Sequence, residues 1–231
     1  MKKSDLYFLM FITLLFVPFF VFNDIYSGYK ALNASHPFFV GFLKFAVLAT
    51  MGESIGLRLR EGVYNKKGFG LVPRAIVWGF LGLTIVMAFI IFSEGAPVFL
   101  KALGFEGVDA ALKGPMSGIR ILTAFTISVT LNLIYAPVMM TLHKITDTHI
   151  IKNGGTVAGL FRPVQVGEII ANLDWKVQWN FIFKKTIPFF WIPAHTITFL
   201  LPAEFRVLFA ALLGIALGVI LSIGVLMSKK G

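Results

Sequence analysis

The chain of 231 residues contains no cysteine, which excludes disulfides, thiolate metal ligands and cysteine nucleophiles. Charge is also scarce: 14% of residues are Asp, Glu, Lys or Arg, where soluble proteins average roughly 25%. Acidic residues number 11 against 21 basic ones, a formal net charge of +10. The basic residues sit between apolar stretches and do not share a face with stacking aromatics, so the excess is no nucleic-acid footprint. Phosphate-loop, Gly-x-Ser-x-Gly and His-Glu-x-x-His patterns are missing. His143, Asp147 and His149 have no recognised ligand spacing. No enzyme activity, metal site or cofactor is expected.

Apolar sequence is what the chain has in abundance, 57% of it including 25 phenylalanines. It falls into blocks at 6–22, 37–57, 75–92, 121–142, 186–201 and 207–227, most of them close to the ~20 residues that span hydrocarbon as a helix. Backbone polar groups in lipid must be satisfied within the segment or in a closed barrel. A barrel would show short alternating segments, so an all-α, polytopic transmembrane bundle is expected, one domain over 1–231.

Charge on the connections sets the expected topology. Residues 58–74 carry Arg58, Arg60, Lys66, Lys67 and Arg74 against Glu61, and 144–185 are basic as well. The N-terminal Lys2 and Lys3 and the C-terminal Lys229 and Lys230 add two more basic segments, whereas 23–36, 93–120 and 202–206 balance to zero. This alternation fits six crossings with both termini cytoplasmic, in a bacterial plasma membrane. The first block is longer than the ~7–15 residues of a signal core and no small-x-small site follows it, so it reads as an anchor.

Block 186–201 is the weak one, being short and broken by Pro188 and Pro193. Ahead of it, residues 172–181 alternate polar and apolar, but Trp175 and Trp179 followed by Lys184 and Lys185 suit a headgroup-level helix. The segment 164–185 is therefore expected to be interfacial and amphipathic.

Small residues at i+4 spacing, Ala210, Gly214, Gly218 and Ser222, form a ridge on the last block, and Gly52 and Gly56 repeat the spacing on the second. Such ridges let backbones approach closely, here within the chain or in a homo-oligomer. Ionisable groups inside a membrane are costly and mark function, which singles out Lys44 and Glu53. Glu53 has an alternative place at the headgroups with Arg58 and Arg60. Thr126 and Thr130 on one face of the fourth block, Asn132 on another, His195 in the Pro-broken block and Arg206 complete the polar candidates. Ser and Thr can instead bond carbonyls of their own helix.

From Tyr29 and Leu32 ahead of His36-Pro37, through Gly52-Glu53, Arg74 and Ala136-Pro137, to Pro202-Ala203-Glu204-Phe205-Arg206-Val207-Leu208 and Leu221-Ser222, the order of features resembles one family. It is that of the mitochondrial inner-membrane protein Mpv-seventeen and the 22-kDa peroxisomal membrane protein. The departures are Leu131-Asn132 for Asp-Gln, Gly82-Leu83 for Gly-Pro, Ala88-Phe89 for Trp-Tyr and Leu217-Gly218 for Trp-Asn. The resemblance implies a four-helix, channel-like core, to which the first helix is an addition.

The expected function is a small channel or solute-permeation protein, with the lipid bilayer and a small solute as partners and no nucleic acid. Two alternatives stand beside it. One is a substrate-binding membrane subunit, similar in size and topology to those of energy-coupling-factor transporters. The other is a structural or stress-related membrane protein without transport.

Overall fold

The computed structural model describes residues 2–228, with the side chains of 217 and 220–228 outside that description. Among the described residues the regular structure is helical throughout. In chain order come α1 (Lys3–Val21), α2 (Asn23–Ser35), α3 (Pro37–Glu61), α4 (Leu71–Ala102), a single 3₁₀ turn (Ala111–Lys113), and α5 (Gly118–Thr130). A π turn (Leu131–Tyr135) joins α5 to α6 (Ala136–Lys152). Then follow α7 (Val157–Leu160), α8 (Val166–Ala171), α9 (Trp175–Val177), a π segment (Gln178–Trp191), α10 (Ile192–Leu200) and α11 (Ala203–Ser228). Among the described residues, four helical stretches are long and apolar enough to cross a membrane: Lys3–Val21, Pro37–Glu61, Leu71–Ala102 and Gly118–Lys152.

Helix ends follow local chemistry. Pro37 opens α3, where its missing N–H is no loss. Gly62, at φ 79°, closes it in the left-handed conformation that only glycine adopts freely. The Ser117 hydroxyl caps α5 by accepting from the Arg120 amide.

Several boundaries differ from the hydropathy blocks. The third block runs on to Ala102 and the fourth to Lys152. The connection at 23–36 is largely the helix α2, whose Asn, Asp, Ser and Gly content concealed it. The expected interfacial helix at 164–185 is instead two things: the short α8, and the start of a rod that is helical without a break over 175–200. Asp174 starts the rod by accepting from the Val177 amide at 3.0 Å. The short fifth block is thus the second half of a longer element. Both π stretches lie at prolines, Pro137 just after the first, Pro188 within the second and Pro193 just beyond it. A proline ring strikes the carbonyl four residues back in α winding; the wider i→i+5 turn moves that carbonyl away, so the helix continues.

The packing order is a ring. α3 lies between α4 and α11, α4 lies on α5 and α6, and the rod touches α5 and α11 through its 192–200 half. The core of the ring includes Phe45, Leu48, Phe89, Ala124, Ile127, Leu131, Phe199 and Ala211. α1 stands outside with no buried residue, and Leu14 and Phe20 are 72% and 85% exposed. Phe8, Ile12, Leu15 and Phe16 rest against the core, and a helix apolar around its circumference that leaves its other face uncovered needs an apolar surround.

Basic connections share one end of this ring. Asp5 forms a bidentate pair with Arg58, Nε to Oδ1 at 2.8 Å and a second nitrogen to Oδ2 at 2.9 Å, and Phe8 stacks on Tyr64. The 62–70 and 150–155 loops meet glycine to glycine at the same end. A Cβ on Gly155 would lie 2.7 Å from the Gly68 carbonyl, and Gly70 and Gly155 have φ of 74° and 66°. At the opposite, far end, Arg120 donates to the carbonyls of Gly114 and Leu200.

Candidate functional site: a one-sided cavity at the basic end

α3, α4, α5–α6, the 175–200 rod and α11 enclose a cavity of about 830 Å³. Its walls come from one face of each helix. On α5–α6 the lining residues include Asn132, Ala136, Met140, His143 and Asp147, at the three- and four-residue spacing of a single helix face. Gly52 on α3 meets α11 backbone to backbone: a Cβ there would be 3.0 Å from the Cα of Ile215, and one on Gly218 would be 3.4 Å from the Gly52 carbonyl. One turn along, Gly214 has nothing within 4 Å and opens onto the void.

Near the basic end the wall carries a charged cluster. Arg74, 7% exposed, is held in the first turn of α4 by donating Nε–H to the Phe69 carbonyl at 2.7 Å, with its guanidinium 4.6 Å from the Phe69 ring centre. From there it ion-pairs with Glu53 of α3 and Asp147 of α6. Glu53 also accepts from Trp78 Nε1 at 2.8 Å, and His143 Nε2 lies 3.2 Å from it. The glycine contact between the 62–70 and 150–155 loops brings the start of α4 down to the end of α6, which makes the Arg74–Asp147 pair reachable. Beyond the cluster the cavity reaches Arg60, Glu61, Lys66, Lys67 and Lys144.

Deeper in, Asn132 and His195 meet. Asn132 Nδ2 donates to the Ser128 carbonyl at 2.8 Å and lies 2.9 Å from His195 Nδ1. The Asn132 Oδ1 also lies 3.2 Å from His195 Nδ1. Nδ1 is thus engaged by the amide in either tautomer, accepting from Nδ2–H or donating to Oδ1. The Trp191 ring stacks on His195 with centroids 5.2 Å apart, and Trp191 Nε1 is buried with no partner among the described residues.

The cavity stops there. Among the described residues none of 90–130 or 196–209 lines it; that part of the ring is filled by Ala124, Ile127, Thr198, Phe199 and others fully buried. The chain matches no family model, no curated protein and no solved structure. Of the residues carrying the sequence resemblance, Glu53 and Arg74 meet in the ion pair, whereas Tyr29 lies at the far end under Lys44.

The sequence candidates divide accordingly. Glu53, Asn132, His195, Gly52, Gly56, Ala210, Gly214 and Gly218 line the cavity, and Ser222 lies outside the described side chains. Glu53 is engaged by Arg74 and His143, and Arg58 by Asp5. Lys44 does not reach the cavity: its Nζ donates to Asn33 of α2 at 2.7 Å and lies over the Tyr29 ring. Arg206 donates to the Leu201 carbonyl and lies over Phe199 at the far end. Thr130 bonds the carbonyls of Thr126 and Ile127 on its own helix, and neither threonine lines the cavity. Of the described residues of the α11 ridge, Ala210 is buried and Gly218 packs on Gly52, whereas Gly214 faces open space.

Sequence reasoning missed Arg74, Trp78, His143, Asp147 and Trp191 as site residues. The signal for two of them was present in the period linking Asn132, Ala136, Met140, His143 and Asp147 once α6 is followed past Leu142.

Proposed function

We propose that this chain is a polytopic protein of the bacterial plasma membrane, with six crossings and both termini cytoplasmic, that binds a small solute in the cavity from the cytoplasmic side. The observation that carries the reading is the one-sided form of the cavity. A wide apolar-walled pocket with a few polar groups is the usual form of a small-molecule site, and this one begins at the basic end and stops midway. An open channel would need lining in the far third of the ring, which is solid core. The geometry therefore favours binding, as in a carrier or a substrate-binding subunit, over continuous permeation.

The topology is tested with single cysteines at Lys66 and Lys113, both exposed, probed in intact cells with an impermeant thiol reagent. Lys113 is labelled from outside and Lys66 only after permeabilisation; equal labelling removes the six-crossing arrangement. For binding, Gly214→Phe projects a ring into the void. Native mass spectrometry of gently purified protein is expected to show a bound small molecule that this variant loses while its unfolding temperature holds. Protein that carries no ligand, and takes up none across a solute panel, removes the binding reading.

A further inference from the structure

Resting on that binding reading, we propose that the cavity takes an amphipathic organic anion, with an oxyanion head at the lysine-lined mouth, an apolar body along the middle and a hydrogen-bond acceptor at the deep end. Five cations (Arg60, Lys66, Lys67, Arg74, Lys144) and three carboxylates (Glu53, Glu61, Asp147) line the site. All three carboxylates are engaged: Glu53 by Arg74, Trp78 and His143, Asp147 by Arg74, and Glu61 by Lys66 at 2.6 Å. Lys67 and Lys144 have no carboxylate partner among the described residues. The unsatisfied charge at the mouth is positive, and a cleft lined by one sign concentrates the opposite one.

The next stretch of wall is Phe45, Ile85, Phe89, Leu131, Met139 and Met140. A sugar or a bare inorganic ion would leave polar groups unpaired against it, whereas methionines adapt to an apolar body. The deep end offers a donor, the unpartnered Trp191 Nε1–H, stacked on His195, whose Nδ1 is occupied by Asn132. That donor matches a carbonyl or hydroxyl oxygen. Lys144 and Asn132 stand twelve residues apart on one helical stretch, roughly 18 Å at 1.5 Å per residue, so the ligand is elongated.

The test uses the full chain in phosphatidylcholine nanodiscs with a medium-chain carboxylate carrying a mid-chain diazirine, and the matched amine. Peptide mass spectrometry compares labelling of Met139 and Met140 with that of Leu133 and Ile134, exposed on the same helical stretch, which report partition into lipid alone. The acid is expected to favour Met139 and Met140 about ten-fold more than the amine does. Lys67→Glu with Lys144→Glu, both exposed positions, should erase that difference. Trp191→Phe should remove the advantage of an ω-keto acid probe over the plain acid. Equal cavity labelling by acid and amine, or indifference to the charge reversal, overturns the anion assignment and leaves binding standing. Labelling confined to Leu133 and Ile134 with both probes overturns the binding reading as well.

Discussion

Arg74→Met is expected to destabilise the protein by about 3–5 kcal/mol, the cost of removing one partner from a buried ion pair. Arg74 is 7% exposed and ion-pairs with two carboxylates from different helices, Glu53 of α3 and Asp147 of α6. Without it, both carboxylates face a low-dielectric wall, with only Trp78 and His143 near Glu53. Thermal unfolding in detergent measures the loss. Adding Glu53→Gln and Asp147→Asn to Arg74→Met should recover most of it, because amides are far cheaper to bury than carboxylates. A single variant as stable as the parent would mean that the cluster is solvated and does not tie the start of α4 to α3 and α6.

The second large effect lies where α3 crosses α4. A Cβ on Gly82 would stand 2.8 Å from the Phe45 Cβ and 2.9 Å from the Gly41 carbonyl, both atoms that cannot swing aside. Gly82→Ala should cost about 1–3 kcal/mol as overpacking, and Gly82→Leu should prevent assembly of the pair. The comparison is Gly214→Ala. Nothing lies within 4 Å of that Cβ, and alanine in a helix interior gains roughly 0.5–1 kcal/mol over glycine, so that variant is neutral or slightly more stable. Size-exclusion profiles and unfolding temperatures in one detergent separate the two. Equal behaviour would place α3 and α4 further apart than the contact described.

The two glycines look alike in sequence, each on an apolar helix, and the difference between them is set by what the neighbouring helix presents. The same holds for the polar residues. Lys44 looked the most functional because its charge lies deep in an apolar block, yet α2 folds back and supplies Asn33 and Tyr29 to it. His143 and Asp147 looked like loop because hydropathy falls after Leu142. The helix continues because groups on other elements, Arg74 and Trp78, absorb their polarity. The rod at 175–200 was hidden for another reason: two prolines ordinarily end a helix, and only the π winding shows that they are tolerated.

By itself the sequence determined that the chain is helical and rich in apolar elements of membrane-crossing length. It also determined that basic charge gathers on alternate connections, and which helix faces carry small residues. Those are properties of composition and local period, readable along one dimension. Only the tertiary structure decided which polar groups meet. Glu53 with Arg74, and Asn132 with His195, are pairs from separate helices whose partnership depends on rotation and register about each helix axis, a freedom that hydropathy does not constrain.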